Sequence, residues 1–139
     1  MFLLDTHVWI WIVEDDVRRL GRRTARLVER WAEQDALRVS PLSVFEIAQL
    51  YGSGRVQLSR TLEQWTTAAL ATVGGRVMPL TTEAAIDAGT MGGIAVPDPL
   101  DRLLMATARQ SDATFVTADR RILDYAAKTA GLRTHDARR

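Results

Sequence analysis

Apolar positions along this chain keep two rhythms. Short apolar runs alternate with longer stretches in which apolar residues recur every three or four positions. The short runs predict strands at Phe2-Leu3-Leu4-Asp5, Leu37-Arg38-Val39-Ser40, Arg76 to Leu80 and Thr114 to Thr117, with an edge strand at Leu132 to Thr134. The longer stretches predict helices over Thr6–Val13, Thr24–Gln34, Ser43–Tyr51, Thr61–Thr72, Thr82–Met91, Pro99–Gln110 and Arg120–Thr129. Gly52-Ser53-Gly54, Gly74-Gly75 and Gly131 stand where helices end. Strands alternating with helices imply βαβ units. The expectation is an α/β fold: a central, mainly parallel sheet of about four to five strands, flanked by helices on both faces. Residues 1–139 are read as one domain, the ordinary size for a chain of this length.

Composition narrows the chemistry. The chain is 47% apolar and 25% charged, an ordinary globular balance. It has no cysteine, so disulfides, thiolate metal sites and a cysteine nucleophile are excluded. Any metal must be held by carboxylates, histidine or backbone oxygens, which suits a hard ion such as Mg²⁺ or Mn²⁺. The net charge of +1 gives no bulk basic field. The apolar start MFLLDTHVWIWIV carries Asp5 and His7 and is too short and interrupted for a signal peptide or membrane span. The expectation is a cytoplasmic protein with no membrane association. No GxGxxG or GxxxxGK[ST] run is present, so the glycines suggest turns rather than nucleotide loops.

Parallel α/β sheets place their active groups beyond the carboxyl ends of the strands. The polar residues expected there are all carboxylates. Asp5 ends the first strand, Glu46 lies in the helix after the second, Asp98 and Asp101 flank Pro99 at a helix start, and Asp119 follows Thr114–Thr117. Each has a plain structural reading. Ser43 and Glu46 form a capping-box pattern, Asp98 is an N-cap with Pro99 at N1, and Asp5 and Asp119 can cap the helices that follow them. Brought together, the acids change the reading. Two charges ~6 Å apart repel by about 3 kcal/mol at an effective dielectric of 20, so the six pairs among four carboxylates cost on the order of 10 kcal/mol. A bound divalent ion relieves that cost.

Four segments carry a resemblance. LLDTHVWIW, SVFEIAQLYGSGRV, DPLDRLLMATA and FVTADRRI resemble, in order, the four acidic motifs of the PIN-domain family, and the match is nearest to its VapC-like branch of ribonuclease toxins. The resemblance implies metal-binding and catalytic acids at Asp5, Glu46, Asp101 and Asp119, with Asp98, one helical turn before Asp101, as a supplement or replacement. Thr6 and Thr117 match small polar positions beside the acids. With Arg102 and Arg120 they are candidate substrate-binding residues, although a local hydroxyl-to-backbone bond is an equal reading for each threonine.

The implied activity is Mg²⁺- or Mn²⁺-dependent endonucleolytic cleavage of RNA by metal-activated water. The implied partners are an RNA substrate, a VapB-like antitoxin whose tail covers the acidic site, and a second copy in a homodimer. A non-catalytic PIN-like module that binds RNA or protein is the alternative. A receiver domain would want a lysine after its last strand, and the only lysine, Lys128, lies within a helix. A haloacid-dehalogenase-type phosphatase would want Asp-x-Asp where this chain has Asp5-Thr6-His7.

Three further features stay open. Arg19, Arg22, Arg23, Arg26 and Arg30 share one helical face, a candidate RNA contact or simply a solvated face. Leu20, Leu27, Val28 and Trp31 form the opposite, core-facing stripe. Trp9 and Trp11, two apart on a helix, cannot face the same way, so one is expected in the core and the other at the surface. His7 follows Asp5 closely, but a lone helical histidine is more often structural.

Overall fold

Two strands form the centre of the molecule: β1 (Phe2–Leu4) and β3 (Thr114–Thr117) pair in parallel, with Leu3 opposite Phe115 and Leu4 opposite Val116. β2 (Leu37–Arg38) adds to one edge and β4 (Arg133–Asp136) to the other, giving the order β2-β1-β3-β4 with every pairing parallel. Seven helices connect them: α1 (Thr6–Val13), α2 (Arg22–Glu33), α3 (Pro41–Gly52), α4 (Leu62–Thr72), α5 (Thr82–Thr90), α6 (Pro99–Gln110) and α7 (Arg120–Lys128). The computed structural model describes all residues, 1–139.

Strand side chains alternate between the two faces, and the core divides accordingly. Leu4 and Val116 pack with Val8, Trp9, Val28, Trp31 and Trp65 from α1, α2 and α4. Leu3 and Phe115 pack with Leu104, Met105, Ala108 and Ile122 from α6 and α7. Both faces of the sheet are therefore covered, as the continuous apolar strands require. Trp31 stacks on Phe2 with ring centroids 3.9 Å apart. Trp9 is fully buried, and its indole N–H donates to the Ala69 carbonyl.

The α/β class and the four-strand count match the expectation; two local expectations do not. The strand expected at Arg76–Leu80 is reduced to a single bridge between Val39 and Val77. Val39 N–H donates to the Arg76 carbonyl at 3.3 Å and Met78 N–H to the Val39 carbonyl at 2.7 Å, and the pairing goes no further. Ser43 is not a helix cap. α3 begins at Pro41, and Ser40, extended as the residue before proline must be, caps it through Leu42 N–H. Ser43 lies inside the helix, fully buried, and accepts a 3.0 Å hydrogen bond from the Thr6 hydroxyl.

The last residues close the fold against α2. This helix has no side-chain cap. Gly21 N–H donates to the Ala137 carbonyl, and Thr24 N–H to the Arg139 backbone oxygen at 2.8 Å. The approach is so close that a Cβ on Gly21 would stand 1.9 Å from that oxygen. Gly21→Ala therefore forces backbone to move. We expect a destabilisation of about 1–3 kcal/mol, read as a drop in Tm of several degrees in a thermal melt followed by circular dichroism. An unchanged Tm would show that the terminal segment does not seat on α2.

Candidate active site

The order β2-β1-β3-β4 reverses its direction of growth between β1 and β3, and the crevice beyond their carboxyl ends is where a parallel sheet of this kind offers a site. Asp5 leaves β1 there and Thr117 ends β3. A cleft of about 270 Å³ opens at this point, lined by five carboxylates, Asp5, Glu46, Asp98, Asp101 and Asp119, together with His7, Trp11 and Ala118. A larger, shallow depression of about 660 Å³ lies along the outside of α4 between Arg60 and Ala71. It is the surface of one helix and brings no catalytic groups together.

Each acid is positioned by the turn that carries it. Asp5, Asp98 and Asp119 are the N-caps of α1, α6 and α7, accepting from Thr6, Leu100 and Arg121 N–H at 2.8, 2.9 and 2.8 Å. Asp101 follows Asp98 within the first turn of α6. Glu46 stands nearly one turn beyond Ser43 on α3, and the Thr6–Ser43 bond ties that helix to α1 beside Asp5. Thr117 donates its hydroxyl to Asp5 Oδ2 at 2.7 Å and accepts from Asp119 N–H at 3.0 Å. One side chain thus fixes two acids that lie 114 residues apart in sequence.

The electrostatics record the crowding. Burial raises the Asp101 carboxyl to about 7, helped by the negative charges of Asp5, Asp98, Asp119 and Glu46. Burial also raises Asp5, opposed by its hydrogen bonds from Thr117 and Thr6 and by the nearby His7. The donor set is all oxygen and strongly anionic, the chemistry that fits a hard divalent cation. No three acidic or histidine side chains stand at ligand spacing around a common point, so the carboxylates provide the charge without a preformed coordination shell.

Several candidate residues are placed otherwise than expected. Thr6 and Thr117 are fully buried, which corrects the expectation that they contact substrate: they orient acids and helices from beneath. Arg102 donates to the carbonyls of Val96 and Pro97 at 2.9 and 2.8 Å, so its guanidinium holds the loop before α6. Arg120 is exposed and turned toward β4, 4.0 Å from Asp136. Trp11 lines the cleft while Trp9 is core, and the Trp11 indole N–H is buried with no partner. The sequence signalled only that the two tryptophans point apart. His7, set aside as structural, is exposed in the cleft.

A doubly covered parallel sheet with carboxylates at its switch point defines the class, and comparison with known proteins agrees. A family model described as "PIN domain" matches residues 2–128. The chain belongs to the PIN-domain family and to its VapC-like branch. It is 32% identical over 123 residues to Ribonuclease VapC22 of Mycobacterium tuberculosis (strain ATCC 25618 / H37Rv), covering 88% of this chain and 90% of that protein. In fold it resembles a chain of VapBC2 from Rickettsia felis bound to a promoter DNA fragment, with TM-score 0.67, 15% identity and 97% of each chain covered. It also resembles a chain of FitAcB from Neisseria gonorrhoeae, with TM-score 0.64, 19% identity and coverage of 99% and 98%.

The raised Asp101 carboxyl makes a pH prediction. Its folded value of about 7 exceeds the unfolded 3.8, so between these values the folded state binds more protons and stability falls as pH rises. Above pH 7 the full penalty applies. Asp101→Asn removes it. In metal-free buffer the variant should match the parent near pH 4 and exceed it at pH 8 by about 1–2 kcal/mol, a figure discounted for solvent screening at this half-exposed group. Urea titrations at the two pH values check this, and equal stability at pH 8 would refute it.

Proposed function

We propose that the chain is a divalent-metal-dependent endoribonuclease, acting as the toxin of a VapBC-type toxin–antitoxin pair. The observation that carries this reading is the convergence of five carboxylates from four segments of the chain on one cleft at the switch point of the sheet. The 32% identity to a protein named as a ribonuclease supports the substrate class.

Asp5, Glu46, Asp101 and Asp119, with Asp98 beside them, would hold Mg²⁺ or Mn²⁺. Such an ion, when bound, supplies Lewis acidity toward phosphate and water. The chain's own part is geometric and electrostatic. Thr117 and the Thr6 N–H keep Asp5 in one rotamer. Asp98 and Asp119 each give Oδ1 to a helix N-terminus and keep Oδ2 free of that bond. Asp101, its carboxyl raised to about 7, would give up its proton in holding a cation. In the hydrolysis itself a water oxygen bonds to phosphorus, the bond to the ribose oxygen breaks, and the leaving oxygen takes a proton. A carboxylate of the cleft is suited to accept the proton that the water loses.

We further propose a VapB-like antitoxin whose tail covers this cleft, a homodimeric assembly and a cytoplasmic location. No helix is long and apolar enough to cross a membrane. The fold neighbours were solved as VapBC and FitAB-type complexes, in keeping with an antitoxin partner. A module that binds RNA without cutting is the second reading, favoured by the lack of three acids at ligand spacing.

Asp5→Asn separates the two. Asparagine keeps the helix cap and the shape of the buried side chain, so folding should survive. The parent should cut a mixed RNA pool into discrete fragments only with Mg²⁺ or Mn²⁺. The variant should lose about 3–4 kcal/mol of transition-state stabilisation, on the order of 10²–10³ in rate. RNA that binds both proteins and is cut by neither would establish the binding module.

A further inference from the structure

A second pocket lies beside the acidic cleft and has the opposite charge. It measures about 250 Å³ and is lined by Arg120 and Leu123 of α7, by Thr134, His135 and Asp136 of β4, and by Arg139. It belongs to the same end of the sheet, since Asp136 is in register with Thr117, the residue that holds Asp5 and Asp119. Adjacent strands are about 4.8 Å apart, so pocket and cleft are neighbours along one edge.

The pocket is built rather than incidental. Thr24 on α2 holds His135 through a 2.8 Å hydrogen bond between its hydroxyl and Nε2, and Trp31 meets the imidazole edge-on with ring centroids 5.5 Å apart. Asp136 pairs with Arg120 at 4.0 Å and with Arg138 at 3.6 Å. Burial lowers the His135 pKa, and the positive charges of Arg139 and Arg23 lower it further. Asp136 is the only side-chain carboxylate lining the pocket, and two guanidiniums, Arg120 and Arg139, line it with Asp136, so positive charge is left over. Planar guanidinium forks match phosphate oxygens in geometry as well as in sign.

RNA needs such a place. Its backbone is a polyanion, and a cleft of five carboxylates repels it. Attraction has to come from close by without covering the reacting bond. We propose that the pocket of Arg120, His135 and Arg139 binds a backbone phosphate of the RNA next to the bond being cut, anchoring the strand across the ends of β3 and β4. This rests on the nuclease reading given above and names the part of that site which grips the substrate.

The chain has two histidines, and each reports on one pocket. His7 lines the acidic cleft and His135 the arginine pocket. Imidazole proton spectra of the full chain read both sites, with RNA added to Asp5→Asn, which cannot cut it, and Mn²⁺ added to the parent with Asp5 intact. A short single-stranded RNA should shift His135, and Mn²⁺ alone should broaden His7 more than His135. Arg120→Gln with Arg139→Gln should abolish the RNA-induced shift of His135 and weaken RNA binding at least tenfold. The slope of log affinity against log salt should fall by about 0.7, the value for one single-strand phosphate no longer neutralised. Arg18→Gln with Arg60→Gln, which removes the same charge elsewhere, should leave that slope unchanged. If the double variant fails to fold, Arg139→Gln alone, at an exposed side chain, should halve the change in slope.

The proposal is overturned if RNA moves His7 and leaves His135 still, or if the distant pair weakens binding as much. It is also overturned if inorganic phosphate moves His135 and RNA does not, which would make the pocket a free-phosphate site. The nuclease reading fails separately, if the chain with Asp5 intact cuts no RNA with either metal while His135 still responds.

Discussion

Asp5 is a carboxylate taken out of water, and the site is arranged around that fact. A buried carboxylate left unpaired costs several kcal/mol. Here Oδ1 accepts from Thr6 N–H and Oδ2 from the Thr117 hydroxyl, at 2.8 and 2.7 Å. The second bond is available because β1 and β3 run parallel with Leu4 opposite Val116, so the residues that follow emerge at the same level. Thr117 in turn accepts from Asp119 N–H, and Thr6, one residue past Asp5, donates to Ser43 on α3. Two hydroxyls therefore connect β1, β3, α1, α3 and the start of α7.

Helix capping and a shared site are not competing explanations for these acids. Asp98 and Asp119 each give Oδ1 to a helix N-terminus and leave Oδ2 free of side-chain partners. The same arrangement points the N-terminal ends of α1, α6 and α7 toward the cleft, and their partial positive charges offset part of the repulsion. Asp101 makes no cap bond and sits among four like charges, so it carries the remainder as a carboxyl raised to about 7. A proton and a divalent cation are alternative answers to the same surplus. A proton on Asp101 thus relieves part of the charge that the proposed cation would otherwise relieve.

Much of this was legible in the chain. The strands Phe2–Leu4 and Thr114–Thr117 are apolar runs too short for helices, and Pro99–Gln110 starts on an Asp-Pro signal. The acids were legible because the family's motifs fall at strand ends and helix starts, where topology brings them together. What was missed depends on contacts across the fold. Ser43 reads as a cap until Pro41 is seen to start the helix one turn earlier. Three helices end on an aspartate with positive φ, Asp15, Asp35 and Asp112, where glycine is the usual signal. Two of these also bind an arginine, Asp35 with Arg76 and Asp112 with Arg133, each at 2.7 Å. No local pattern announces such pairs, since the partners lie far apart in sequence.

Net charge was the least informative of the sequence's numbers, and the structure explains why. A total of +1 conceals two adjoining fields of opposite sign at the end of one sheet. The negative one sits over β1 and β3, where the parallel strands deliver their acids. The positive one sits over β4, where the end of the chain folds back on α2 and brings Arg138 and Arg139 beside Arg23 and Arg120. Gly21 permits that return, because only a residue without a Cβ lets the backbones meet so closely. A packing constraint far from the acids thus decides where the arginines stand. For an anionic polymer the boundary between the fields would be a defined path, on the proposal made above: arginine forks hold one phosphate while the next bond lies over the carboxylates. Neither field alone would give that register; it needs the two side by side, as the adjacency of β3 and β4 places them.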